Sequence, residues 1–273
     1  IPDISASIEE ISYEKNTFIF DVNVSFKKIL RAESSEDLPY IQGLESKAAK
    51  LNGAALETAM REINYKKREL EDRYIGVEQT ENSKFRIRIP IISTKSSSES
   101  FAMTMRDSFG NEFSMNAFGP SSAEEMFAAG ENAIGDVSFK TMSSNVYHNP
   151  RAQEYNRLNA RDYARTYALD YNDEWESFKG RGGDCANFVS QCFWWGGLST
   201  DSVWDLYSYA WNYAVGVHNY MRDNNICFET YDKYQAIAGS IISWTNQEHV
   251  GLVDQNDTVT MTYCAHTTDV LSE

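Results

Sequence analysis

Gly182-Gly183-Asp184-Cys185-Ala186-Asn187-Phe188-Val189-Ser190-Gln191 is the stretch on which the reading of this chain turns. Two glycines allow a tight backbone approach, and a segment with helical spacing then opens at the cysteine. Phe188, Val189 and Cys192 fall on its inner side and Gly196-Gly197 stops it, so a helix over about 185–195 is expected. A thiol in the first turn of a helix sits at the positive end of the macrodipole, which favours thiolate. Working outward, Glu248-His249-Val250-Gly251-Leu252-Val253 puts a histidine at the head of an apolar strand. That histidine could supply the base for a cysteine nucleophile.

Size and composition bound the reading. A chain of 273 residues has room for two domains, each with its own core. The formal net charge of -15 and a pI of about 4.7 oppose nucleic acid or an anionic membrane as partner. No run of eighteen apolar residues exists, so no transmembrane segment is expected. The sequence starts at Ile1 without a signal-like stretch. The expected location is extracellular or the cell envelope, with a leader removed or lying outside this sequence.

The four cysteines, Cys185, Cys192, Cys227 and Cys264, include no C-x-x-C pair, and no metal or cofactor is expected. With Cys185 free and Cys192 in the core, Cys227 with Cys264 is the one disulfide to entertain. Asp170, Asn172, Asp173 and Glu174 lack the spacing of a calcium loop and read as a solvated helix end.

Along the chain, residues 4–28 read as a hairpin around Glu14-Lys15-Asn16, and 41–74 as an amphipathic helix with a candidate break at Asn52-Gly53. Strands are expected at 84–92, 100–106 and 112–118. A boundary is expected near Ser143–Pro150, dividing an α+β accessory domain (1–145) from a second domain (150–273). There, helices are expected over 151–172 and 203–222, and strands over 240–244, 249–254 and 258–265.

Several of these residues carry a resemblance. Tyr155-Asn156-Arg157, Ala160, Tyr163-Ala164, Gly183-Asp184-Cys185, Asn187 to Cys192, Gly196-Gly197, Trp211, His249 and Ala265-His266-Thr267 resemble the bacterial putative amidase domain family, amidase family 6. The Asp-Cys helix start followed by a His-led strand is also similar to NlpC-type and CHAP peptidoglycan peptidases. The likeness implies a papain-like cysteine hydrolase fold of class α+β, with a nucleophile helix packed on a small antiparallel sheet. It implies amide hydrolysis of a peptide or peptidoglycan-type substrate.

The residues then take roles as expectations. Cys185 is the nucleophile and His249 the base. His266 is the candidate to orient the imidazole, provided Asp254 pairs with Val259 in the terminal hairpin; a one-residue slip would send it to the other face. The backbone N–H of Cys185 is the expected oxyanion donor. Asp184 and Trp211 are placed beside the substrate, with helix capping the other reading of Asp184 and burial among the surrounding aromatics that of Trp211. His148 is expected to be exposed and His218 to be a packing residue. Two other functions stay open: an inactive hydrolase-like module that binds a cell-wall or protein ligand, and a cysteine acyltransferase.

Overall fold

The structure is a computed structural model that describes residues 3–91, 101–106, 111–114, 121–134, 154–181, 183–244, 246 and 248–272. It is a mixed α+β protein with two antiparallel sheets and, among the described residues, seven α-helices. The chain forms two compact units: stretches 1–29 and 78–120 in one, 30–77 and 121–272 in the other. This differs from the expected division. Helices from the first half of the chain join the second half in a single unit, and the expected linker at 143–150 lies outside the described residues.

The smaller unit is a five-stranded antiparallel sheet in chain order: β1 (Ile4–Glu14), β2 (Thr17–Ile29), β3 (Glu78–Pro90), β4 (Ala102–Arg106) and β5 (Glu112–Phe113). The first hairpin turns where expected, with Lys15 and Asn16 both at positive φ, which suits the right-handed twist of the strands. Asp21 is buried on β2 beneath Arg86 (two contacts of 2.7 Å) and Arg106 (2.6 Å). The Arg86 hydrogen bonds and the two guanidinium charges hold its carboxyl below the usual range against the opposing effect of burial.

The larger unit opens with α1 (Pro39–Ala48) and α2 (Gly53–Arg73), separated at Asn52-Gly53, where Gly53 has φ +54°. Against α1 packs α3 (Ala123–Ala133), which the hydrophobic pattern alone does not single out. Its signal is a capping box: the Glu125 N–H donates to Ser122 Oγ at 3.1 Å and the Ser122 N–H to Glu125 Oε2 at 2.8 Å. The two helices touch backbone to backbone through glycines. A Cβ on Gly43 would lie 2.0 Å from the Phe127 carbonyl oxygen, and one on Gly130 would lie 2.2 Å from that of Tyr40. Gly43→Ala is therefore expected to force these helices apart and to cost at least about 1–3 kcal/mol, read as a lower urea midpoint.

The remainder holds α4 (Arg157–Tyr167), α5 (Cys185–Trp195), α6 (Tyr209–Asn212), α7 (Ala214–Asp223) and a sheet of order β6 (Ile241–Ser243), β7 (Val250–Asn256), β8 (Met261–Cys264). The single helix expected over 203–222 is instead two. Tyr213 is extended (φ −115°, ψ 136°), and Gly216 then packs so closely on Tyr209 that a Cβ would lie 2.1 Å from its carbonyl oxygen. Around α5, Phe188, Val189, Cys192 and Phe193 form a core with Trp204, Trp211, Val217 and Leu252. A second core joins Ile41, Leu44, Ile63 and Leu70 with Tyr234. No helix among the described residues is long and apolar enough to cross a membrane.

Candidate active site

Cys185 is the first residue of α5, as its glycine lead implied. Gly182 lies outside the described residues, but Gly183 has φ +111°, and a Cβ there would stand 3.0 Å from Thr267 Oγ1. The glycine thus lets the turn before the helix press against the hydroxyl of Thr267, which accepts the Asp184 N–H at 2.8 Å. His249 lies just before β7, and its carbonyl accepts the Trp244 N–H at 3.2 Å, which closes the turn from β6. The Trp244 indole meets the imidazole edge to face at 4.7 Å. Nothing in the sequence pattern marked Trp244; contact across this turn reveals it.

The Cys185 sulfur is faced by the backbone N–H of Val250, the residue next to His249, by the Ala186 N–H and by the Thr267 hydroxyl. Cys185 is 8 % exposed and His249 5 %, so both are largely enclosed and neither stands on an open face. Burial pushes the thiol up from its ordinary value, and these donors only partly oppose it. The thiolate expected from the helix dipole is thus not the favoured resting form. Burial also pushes His249 down to about 4. At neutral pH the pair rests as thiol and neutral imidazole, the protonation in which a base can still accept.

His266 occupies another place. Its Nε2 bonds the Tyr167 carbonyl oxygen at 2.7 Å and its Nδ1 the Asp184 Oδ2 at 2.7 Å. Both ring nitrogens are thereby taken, and neither is left to orient His249. The register explains this. Asp254 does not pair with Val259 but lies in a bulge, with Leu252 opposite Cys264, Val253 opposite Tyr263 and Gln255 opposite Thr262. The ladder ends at Cys264, and residues 266–269 form a turn closed by Ala265 and Val270, so His266 is not a ladder partner of β7.

Asp184 and Trp211 also differ from expectation. Both are buried and fully engaged within the protein, so neither offers a surface to substrate. Asp184 makes no side-chain cap on α5. Its Oδ1 instead accepts the Phe178 N–H (2.7 Å) and Asn187 Nδ2 (3.0 Å), while Oδ2 meets His266. A carbonyl oxygen only accepts, so Nε2 of His266 donates to Tyr167. The ring lies between Phe188 and Tyr171, with centroids 4.0 and 3.9 Å away. Trp211 donates Nε1–H to Asn187 Oδ1 at 2.9 Å and stacks on Trp175.

Most other residues of the resemblance prove to be scaffold. The Tyr155 hydroxyl donates to the Gly239 carbonyl at 2.6 Å, and its ring leaves no room for a Cβ on Gly196, which would come within 2.5 Å. Asn156 caps α4 by accepting the N–H groups of Leu158 and Asn159. Gln191 Oε1 accepts the Tyr163 hydroxyl at 2.8 Å. All four cysteines are free, so Cys227 and Cys264 are not joined. His218 packs on α7 with Nε2 3.6 Å from Glu229 Oε1, and His148 lies outside the described residues. Among the described residues, no group of three histidines, cysteines or carboxylates could hold a metal ion.

Neither the curated proteins nor the solved structures include a match to this chain. The site nevertheless falls within one recognised module: residues 154–269, from the Glu154 carbonyl under Gly197 to the hairpin that carries Thr267, match the family model described as a putative amidase domain.

Proposed function

We propose that residues 154–272 hydrolyse a peptide-type amide, with Cys185 as nucleophile and His249 as base. The observation that carries this reading is the Val250 N–H facing the Cys185 sulfur, because Val250 directly follows His249 in the chain. A nucleophile helix packed against β6–β8 is also the arrangement of a papain-like hydrolase. Cell-wall stem peptides are the proposed substrate class and the cell envelope the proposed location, on the resemblance to peptidoglycan peptidases.

In the proposed reaction the imidazole takes the thiol proton as sulfur attacks the amide carbon. A C–S bond forms, and the oxyanion is met by the N–H of Cys185 at the helix start. The imidazolium then gives its proton to the departing amine as the C–N bond breaks. Water, deprotonated by the same ring, cleaves the thioester, releasing the acid and restoring the thiol. Because both groups rest neutral, the proton moves during attack and not before it. Protein treated with p-nitrophenyl acetate is expected to carry an acetyl group on Cys185, located by peptide mass spectrometry. His249→Ala should slow that acylation at least tenfold; equal rates would remove His249 from the reaction.

The acid limb of kcat/KM follows from the same base. His249 must be neutral to accept a proton, and its value is lowered to about 4. Activity is therefore expected to hold as pH falls through 6.5 and to be lost only as pH falls through about 4. A pH–rate profile checks it, and an acid limb centred near 6.5 would contradict this environment for the ring.

A further inference from the structure

A cavity of about 400 Å³ lies in the larger unit, and neither Cys185 nor His249 lines it. One wall is α1 and α2, with Tyr40, Leu44 and Ile63; the other includes Met221, Phe228 and Tyr231. The first wall precedes residues 154–269 and so lies outside the matched amidase region. The lining is largely apolar and aromatic, as in sites for small organic ligands.

Within it sits a buried cation. Lys66 is 7 % exposed, and among the described residues its ammonium makes one hydrogen bond, to the Ala236 carbonyl at 3.2 Å. The carboxylates of Glu69, Asp232 and Asp257 favour its charge through space, and their hydrogen bonds go to other groups. Asp232 accepts the Tyr40 hydroxyl and the Tyr234 N–H, while Glu69 accepts from Arg157 and Arg73. Burial pushes Lys66 down to about 8, which leaves it charged at neutral pH. Two more buried polar atoms line the same cavity without a hydrogen-bond partner among the described residues, Ser243 Oγ and His218 Nε2. Buried polar groups are nearly always paired, and a buried charge with a single hydrogen bond and no contacting carboxylate is costly. An ammonium only donates, so whatever completes it presents acceptors, and a carboxylate neutralises it as well.

We propose that this cavity binds a small apolar carboxylate, its head on Lys66 and its body along Ile63, Met221 and Tyr231. The site is separate from the proposed hydrolysis, and binding is to be measured in Cys185→Ala protein so that loss of turnover cannot imitate loss of the ligand. Decanoate, with decanol as its uncharged counterpart, is titrated by calorimetry at pH 7. Saturable binding of decanoate at one site is expected, at least tenfold tighter than decanol. Lys66→Met should remove that preference and leave decanol unchanged, and the variant should melt no lower than its parent because an apolar chain replaces a buried charge. Equal affinity for the two ligands, an unchanged decanoate affinity in Lys66→Met, or no saturable binding (a cavity that holds water only) would each overturn the proposal. Should Lys66→Met fail to fold, the decanoate–decanol comparison in Cys185→Ala protein decides alone.

Discussion

Cys185→Ala is expected to lower kcat/KM for an amide substrate by about 10³-fold or more while the protein keeps its fold. Such a loss follows if the thiol is the group that forms the acyl intermediate, since nothing else at the start of α5 could form it. The structural cost should be small. One sulfur is removed from a site that is not sealed, and its donors are backbone N–H groups and a hydroxyl. About 1 kcal/mol is the expected change, read by thermal or urea unfolding. Cys192→Ala supplies the contrast, because that thiol is fully buried in the core two turns along the same helix. It should cost more stability than Cys185→Ala and leave kcat within a few-fold. If Cys185→Ala retains wild-type turnover, the nucleophile lies elsewhere and the proposed mechanism fails.

The second large effect concerns stability. His266→Ala is expected to destabilise the protein by roughly 3–5 kcal/mol, because it strips the partner from a buried carboxylate and leaves a gap between two rings. Asp184 Oδ2 would face that gap, while Oδ1 still accepts Phe178 and Asn187. Asp184→Asn should be milder, at about 1–2 kcal/mol, since the amide oxygen can keep the loop contacts and the amide group can donate to Nδ1. Urea titration separates the two outcomes. Equal and small losses would mean that the Asp184–His266 contact does not hold the turn before Cys185. Any loss of activity in these variants is expected to act through the placement of Cys185, because both side chains are buried and engaged with the protein itself.

Local features were legible in the sequence where one short-range force decides them. The β1–β2 hairpin follows from alternation around a turn that tolerates positive φ. The break at Asn52-Gly53 follows from Gly53, and the bounds of α5 from Gly183 and Gly196-Gly197. By contrast, α3 does not stand out, because its apolar stripe is thin and its local signal is the capping box of Ser122 and Glu125. The helix read over 203–222 failed because packing of Gly216 onto Tyr209 outweighs the propensity of a run that locally favours one helix.

Residue types and spacing alone determined that Cys185 opens a helix and that His249 heads an apolar strand. The stretches around them resemble a putative amidase domain, whose family model matches residues 154–269. Tertiary structure decided what those motifs do. A bulge at Asp254 displaces the register by a distance no local propensity sets, and His266, in the turn after β8, packs into the core against Asp184. Burial then raises the thiol and lowers the imidazole. Both outcomes depend on which distant segments exclude water from a site, and that quantity exists only once the chain has closed on itself.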